Sequence, residues 1–145
     1  MREAKIIKSK DRMPDPNYEP PLQPGRGIWS ESVENPGLTL SVVVIPPGAR
    51  NQRHFHTNCD AGMHILKGRL KMVFGPDHEM EEVIAEPGDF AFVPAGVIHG
   101  LMNLSDTEPA ELISCYSVGH RKDAGTVFVE PRWDKKKQGY RLPPY

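Results

Sequence analysis

The sequence predicts an all-β domain of the sandwich or barrel type, and three observations lead to that prediction. Short apolar stretches recur between turn signals, which is typical of antiparallel strands. The 15 prolines and 13 glycines are many for 145 residues, so frequent turns are favoured over long helices. No segment of useful length has the apolar spacing of an amphipathic helix, and no internal repeat indicates a propeller or a solenoid.

The composition indicates a soluble, globular chain of one domain. Hydrophobic residues make up 38% and charged residues 26%, and the length is near the commonest domain size. The formal net charge of −1 gives no electrostatic reason to expect nucleic acid or a membrane surface as a partner. No apolar run approaches the ~18 residues of a membrane span. Two cysteines without a CxxC spacing favour reduced thiols, so a cytoplasmic protein is expected.

The chain divides into three parts by composition. Residues 1–27 are polar and proline-rich, and we expect an N-terminal arm that is extended or draped over the body. Residues 28–130 form the predicted β body, and residues 131–145 form a tail. The tail contains three aromatic residues that suggest docking on the body or on a second subunit, namely Trp133, Tyr140 and Tyr145. The arm and the tail together favour a homodimer.

The first strand of the body is predicted in "LTLSVVVI", residues 38–45. Alternate side chains of a strand share a face, so Leu38, Leu40, Val42 and Val44 are expected on one face. Thr39 and Ser41 are then expected on the other. The turn "PPG" follows, with Gly48 supplying the left-handed backbone conformation. The apolar face is expected to line the interior of the barrel.

The later strands follow the same pattern, and each ends at a turn. "RLKMVFG" alternates, with Leu70, Met72 and Phe74 on its apolar face. "GPDHEME" is a hairpin tip, and the strand "EEVIA" comes after it. The turn "EPGD" separates this strand from "FAFV". The remaining predicted strands are "HGLMNL", "AELISCYSVG" and "TVFVEP".

Three histidines are candidates for a metal site. His54 and His56 are separated by one residue, so in an extended segment their side chains project to the same side. Such a pair is weak evidence by itself. Gly48 lies six residues before His54, and His99 follows the stretch "GDFAFVPAGVI", which makes the pattern far more specific. Neutral imidazoles suit Fe, Ni, Cu and Zn.

These residues resemble the motifs of the cupin superfamily. "GARNQRHFH", residues 48–56, resembles the first half of the family's first motif, and residues 88–103 resemble the whole of its second motif. The resemblance covers roughly residues 38–118 and implies a small jelly-roll barrel with one divalent metal held by His54, His56 and His99. The motif positions that it implies to be structural are Gly48, Gly68, Gly88, Pro94, Gly96 and Asn103.

One ligand of the family pattern is missing. Cupins normally have a glutamate seven residues before the glycine that closes the first motif, and counting back from Gly68 leads to Ala61. Asp60 could replace it if the strand starts with a bulge. His64 could replace it, because alternation extended back from Leu70 places it on the interior face, unless a bulge at Gly68 reverses the parity. The third alternative is that nothing replaces it and water completes the shell.

A shell of neutral histidines leaves the charge of a divalent ion uncompensated, which favours an anionic, chelating substrate. We therefore expect a mononuclear Fe(II) dioxygenase that uses O₂ on a diketone, a catechol-like compound, or a hydroxy or keto acid. His64 or Gln52 would assist proton transfer or orientation. The candidate pocket residues are Gln52, Leu40, Met72, Phe74 and Leu101.

Two other functions remain open. Zn, Mn, Ni or Cu could occupy the site instead of iron, and a non-redox isomerase or lyase would use the ion as a Lewis acid. A binding module without catalysis would hold a small molecule at the same place. The fold by itself does not decide between these functions.

Overall fold

The computed structural model describes residues 3–15, 22–130 and 142–145. In these residues eleven strands form two antiparallel sheets, which confirms the predicted all-β jelly-roll barrel. The strands are β1 Met13–Pro14, β2 Gln23–Ile28, β3 Thr39–Ile45, β4 His54–His56, β5 Ala61–Lys67, β6 Leu70–Phe74, β7 Glu81–Ala85, β8 Phe90–Val93, β9 His99–Asn103, β10 Ala110–Tyr116 and β11 Thr126–Phe128. The helical segments of the described residues are short 3-10 turns, and none has the length and apolarity needed to cross a membrane.

The two sheets face each other around one core. The six-stranded sheet has the order β1-β2-β3-β10-β5-β8, and the five-stranded sheet has the order β11-β4-β9-β6-β7. Strands distant in sequence are therefore neighbours, as when β4 pairs with β9 and β3 pairs with β10. Aliphatic side chains fill the space between the sheets, and the most fully buried include Ile45, Ile65, Leu70 and Leu112.

The predicted faces of β3 are wrong. The interior face carries Thr39, Ser41, Val43 and Ile45, which are at most 2% exposed. Leu40 is 37% exposed on the outer face, and Leu38, just before the strand, is 39% exposed. Leu40 therefore does not line the interior pocket that we expected.

The reason for this error is that the polar residues of β3 are satisfied inside the barrel. The Ser41 hydroxyl accepts a hydrogen bond from the Arg26 guanidinium at 3.0 Å, and the Thr39 hydroxyl accepts one from the Tyr116 backbone N–H at 3.3 Å. A buried hydroxyl with a partner does not incur the cost of an unpaired polar group. The continuous run of Val42, Val43 and Val44 gives no alternation to oppose this arrangement.

A bulge in β5 sets the parity of the strand next to the candidate site. Lys67 pairs with Glu111 and Ile65 pairs with Leu112, so Leu66 is the extra residue between them. Because each added residue reverses the side-chain direction, the interior residues of β5 are Ala61, Met63 and Ile65. Gly68 follows with φ of 85°, and a Cβ there would come within 2.7 Å of the Ala110 side chain.

Much of the segment expected to be an arm belongs to the six-stranded sheet. Gln23–Ile28 forms β2, which pairs with β3 along the six-stranded sheet. Within it, Arg26 is 1% exposed and pairs with Asp15 at 3.3 Å. β1 and β2, two strands of the six-stranded sheet, therefore lie within the segment that we expected to be an arm. Residues 1–2 and 16–21 of the expected arm lie outside the described residues.

Candidate metal centre

Three histidine rings converge at one end of the five-stranded sheet. His54 and His56 lie on the same side of β4, and His99 of β9 pairs directly with His54. The ring centroid of His54 lies 4.4 Å from that of His99 and 4.9 Å from that of His56. One ligand atom from each residue lies within 4.8 Å of the other two, and the side chains are at most 3% exposed. The structure thus brings together the three residues that the motifs indicate.

Backbone carbonyls orient two of the three rings. The Nδ1 of His54 lies 2.7 Å from the carbonyl oxygen of Gln52, and the Nδ1 of His99 lies 2.9 Å from that of Val97. A carbonyl oxygen only accepts, so each Nδ1 carries the hydrogen and each Nε2 keeps its lone pair. This is the tautomer and the orientation that a metal ligand requires.

His56 is oriented by a side chain. Its Nδ1 lies 3.0 Å from the hydroxyl oxygen of Thr126 in β11. Its Nε2 is buried and has no hydrogen-bond partner among the residues that the structure describes. A buried nitrogen left in this state costs free energy unless something else binds it, and a divalent cation would do so. The donor set therefore fits a metal ion.

Burial and mutual proximity favour the neutral forms of His56 and His99. Burial, followed by the charges of His54, His99 and Arg121, lowers the pKa of His56 to about 3. Burial, followed by His54, lowers the pKa of His99 to about 4 against the opposing effect of the Val97 carbonyl. At neutral pH both rings are unprotonated, so protons do not compete with a metal for the nitrogen lone pairs.

Neither candidate for the missing ligand joins the histidine cluster. The Asp60 carboxylate is exposed and accepts a hydrogen bond from the backbone N–H of Ala95 at 2.9 Å. Alternation extended back from Leu70 would place His64 inside, but the extra residue Leu66 breaks that alternation. His64 lies on the outer face opposite Ile113, where it stacks on Phe90. Ala61 is 1% exposed on the interior face, so a methyl group occupies the position of the family's glutamate.

The other expected pocket residues lie mostly on the interior side. Met72 and Leu101 are buried and pair across β6 and β9, while Phe74 pairs with His99 and packs against the core. Gln52 is buried, and its backbone carbonyl orients His54. Leu40 is the exception described above.

The structural residues of the motifs hold turns and loops. Gly48, Gly68, Gly88 and Gly96 all have positive φ, and Pro94 opens the turn that contains Gly96. Asn103 is 1% exposed, and its amide donates to the carbonyls of Ile45, Pro46 and Glu108. Through these bonds Asn103 links the end of β9 to the end of β3 and to the loop before β10.

Sequence reasoning missed three residues near the cluster. The ring of Tyr116 lies 4.9 Å from that of His56, and the ring of Phe128 lies 5.7 Å from that of His54. Arg121 is close enough for its charge to lower the pKa of His56. Alternation along β10 could have placed Tyr116 inside the barrel. Arg121 lies in the 3-10 turn Arg121–Ala124, where no periodic pattern marks it.

Comparison with known proteins agrees with this architecture. A family model described as Cupin domain matches residues 41–116, which is just over half of the chain. The oxalate decarboxylase OxdC of Bacillus subtilis (strain 168) is 27% identical over 87 residues, which make up 59% of this chain and 22% of that protein. The chain thus spans about a fifth of the length of that curated relative.

Several solved structures share the fold at low sequence identity. KdgF from Halomonas sp. has a TM-score of 0.66 and 19% identity, covering 83% of this chain and 98% of that one. Oxalate decarboxylase from Bacillus subtilis at pH 4.6 has a TM-score of 0.70 and 15% identity over 88% of this chain and 32% of that one. An oxalate oxidase has a TM-score of 0.61 and 19% identity over 79% and 57%. At these identities the likeness shows the fold alone.

Proposed function

The chain belongs to the cupin family, and from this premise we propose that it is a metal-dependent enzyme that acts on a small, chelating organic anion. The observation that carries the proposal is the set of three buried imidazoles with anchored Nδ1 atoms and converging ligand atoms. In this proposal His54, His56 and His99 hold one divalent ion through their Nε2 atoms. A centre with three protein ligands leaves positions open for a substrate.

Two features of the site support an anionic substrate. No carboxylate joins the histidine cluster in the described residues, so an ion would keep its positive charge there. Arg121 adds a second positive charge near His56. Oxalate, after which the similar decarboxylase and oxidase are named, is a small anion that chelates through two oxygens. The buried apolar residues Met72 and Leu101 would exclude water from the remaining wall of the pocket.

The specific reaction that we propose is a dioxygenation with Fe(II) as the cofactor. Iron at this position would pass electrons from the bound organic anion to O₂, so that the anion is oxidised and both oxygen atoms enter the product. The chain's own residues would hold His56 and His99 neutral, attract the anion through Arg121 and shield the site from bulk water. The substrate classes are diketones, catechol-like compounds, and hydroxy or keto acids.

A non-redox reaction is the second candidate, and the 27% identity to an oxalate decarboxylase favours it. In that case Zn, Mn or Ni would act as a Lewis acid while a C–C, C–H or C–O bond is broken. The same histidines and Arg121 would serve both reactions. The two candidates therefore differ in metal identity and in their need for O₂.

Metal content is the first test of the proposal. We would measure it on untagged protein produced in medium with balanced metals, comparing wild type with His99→Ala. Wild type should contain about one ion per chain, and the variant should lose most of it while the circular dichroism stays that of a β barrel. His78→Ala is the matched control, because the His78 side chain is 77% exposed at a hairpin tip. Undiminished metal in His99→Ala would overturn the site assignment.

Turnover assays then separate the reactions. Oxygen consumption with Fe(II) and a diketone or catechol supports the dioxygenase. Turnover of oxalate or a related acid without O₂, with Zn or Mn, supports the second candidate. Tight binding of these anions with no product under any metal would contradict both and leave a binding module.

A further inference from the structure

The outer face of the six-stranded sheet carries an apolar ridge that is open to solvent. Phe90 and Phe92 alternate along β8, the last strand of that sheet, and are 81% and 67% exposed. Most large apolar side chains of a folded domain are far better covered than this. We call these two side chains the Phe90–Phe92 ridge.

A groove lies beside the ridge on the same face. Its volume is about 400 Å³, and its lining residues besides the ridge include Gly62, His64, Ile113 and Cys115. Gly62 pairs with Phe92 on one side and with Cys115 on the other, so a residue without a side chain forms the floor. A Cβ added to Gly62 would have no atom within 4 Å. Among the residues that the structure describes, no Lys, Arg, Asp or Glu lines the groove.

The exposed apolar area of this face is close to the apolar area at the centre of a standard protein–protein interface. At 150–250 Å² for a phenylalanine side chain, the ridge exposes roughly 300 Å². Leu66 and Leu40, 42% and 37% exposed on the same face, bring the total to roughly 400 Å². A standard interface buries about 800 Å² on each partner, including a polar rim. The patch thus supplies about half of that area, which is the share expected for an apolar interface centre.

We propose that a second copy of this chain binds here, with a twofold axis passing through the outer face of the six-stranded sheet. A twofold interface pairs the same patch on both chains, so each ridge would enter the groove of the other. The absence of charged side chains in the groove means that the patch meets itself without like-charge repulsion. The cross-strand stack of His64 on Phe90, with ring centroids 4.2 Å apart, holds the ridge in a fixed orientation for this contact.

The described ends of the chain lie elsewhere. Arg12 packs near Gly25 of β2, at the opposite edge of the six-stranded sheet from β8. Glu130 and Pro143, which flank residues 131–141, both bind Arg50, and Arg50 bridges to Met102 of the five-stranded sheet. Both attachment points of that segment are therefore on the other sheet. This is the reason for choosing a second copy over the chain's own tail as the occupant.

Analytical ultracentrifugation across a concentration series, with and without added metal, tests the proposal. Wild type should sediment as a dimer at micromolar concentration. Phe92→Glu should be monomeric and should weaken dimerisation at least about 100-fold, because a charge at the centre of an apolar interface loses its hydration. Ile84→Glu is the control, since Ile84 is a 42% exposed residue of the five-stranded sheet and should leave the dimer intact.

A second variant keeps the test decisive if Phe92→Glu folds poorly. Gly62→Leu fills the groove from its floor, at a position where an added Cβ has no atom of the described residues within 4 Å. It should give a folded monomer that binds metal as wild type does. A wild-type monomer at all concentrations would overturn the proposal, whatever else covers the patch. An unchanged dimer in both Phe92→Glu and Gly62→Leu would also overturn it.

Discussion

The hydroxyl of Tyr145 lies 3.0 Å from the backbone oxygen of Asn51, and this contact ties residues 142–145 to the segment that leads into His54. The Arg50 guanidinium covers the same ring at 4.3 Å from its centroid and also binds the Pro143 carbonyl. The tail therefore docks on the body through Tyr145, while Trp133 and Tyr140 lie outside the described residues. A Cβ on Gly100 would collide with the Tyr145 hydroxyl.

This packing gives a double-variant test. Gly100→Ala should destabilise the wild-type protein by about 2 kcal/mol or more, because the new methyl group displaces Tyr145. In a Tyr145→Ala background, where the ring is gone, Gly100→Ala should lower the free energy of unfolding by about 1 kcal/mol less than it does in the wild type. Urea denaturation of the four proteins measures the coupling. Equal costs in both backgrounds would mean that Tyr145 does not dock against Gly100 in solution.

Restoring the family's carboxylate should strengthen metal binding. Ala61 faces the interior, so Ala61→Glu would add a negatively charged ligand beside the three histidines. We expect divalent metal affinity to rise about tenfold, which corresponds to about 1.4 kcal/mol. Titration with Mn²⁺ followed by calorimetry provides the measurement.

Gly62→Glu serves as the matched control for this prediction. The neighbouring residue of the same strand projects to the opposite face, so its carboxylate should leave metal affinity unchanged. If both glutamates raised the affinity equally, general electrostatic attraction would explain the gain and the direction assigned to Ala61 would be wrong.

The metal-free protein should lose stability in acid. The pKa of His56 falls to about 3 and that of His99 to about 4 in the folded state, from 6.5 in the unfolded chain. Below pH 6.5 the unfolded chain binds protons that the folded chain does not, so stability decreases as pH falls from about 6.5 toward 4 and 3. The contribution of these histidines is complete above pH 6.5.

The slope attributable to His99 is about 1.4 kcal/mol per pH unit within that window. Urea denaturation of the metal-free protein at several pH values from 7.5 to 4.5 measures it. His99→Ala should flatten the profile, whereas His78→Ala should not. If the free energy of unfolding of the wild type stayed constant down to pH 4.5, these rings would protonate as readily in the folded protein as in the unfolded chain.

Arg121 should contribute to anion binding without holding the metal. Its charge acts on His56, while a guanidinium stays protonated and offers no lone pair to a metal ion. Arg121→Gln should therefore weaken the binding of oxalate to the metal-loaded protein by about fivefold, or ~1 kcal/mol. The metal affinity should stay within about twofold of wild type. Calorimetric titrations with oxalate and with metal alone distinguish the two effects, and unchanged oxalate binding would remove Arg121 from the proposal.

The positions of the strands were predictable because turn residues mark their ends. The turn containing Gly48 and the "EPGD" turn separate strands in the structure at the places where the sequence suggested. The three histidines were predictable too. β4 has no bulge, so His54 and His56 point to the same side as alternation predicts, and His99 of the second motif pairs with His54. β2 was missed, since a strand with prolines and glycines gives little periodic signal.

The faces of β3 and β5 were not predictable from alternation alone. The interior of β3 includes the hydroxyls of Thr39 and Ser41, whose partners come from β10 and β2. In β5, the direction of His64 depends on pairing with β10, which is more than forty residues away in sequence. Local patterns contain neither piece of information, because both arise from long-range contacts.

The bulge at Leu66 has an evolutionary consequence. Deletion of Leu66, with the pairs on both sides of it retained, would only restore regular pairing, because Ile65 is already opposite Leu112 and Lys67 opposite Glu111. His64 would stay on the outer face opposite Ile113, and Met63 and Ile65 would stay inside. The bulge thus absorbs a difference of one residue in strand length, so related chains can gain or lose this residue while the face that borders the metal site stays the same.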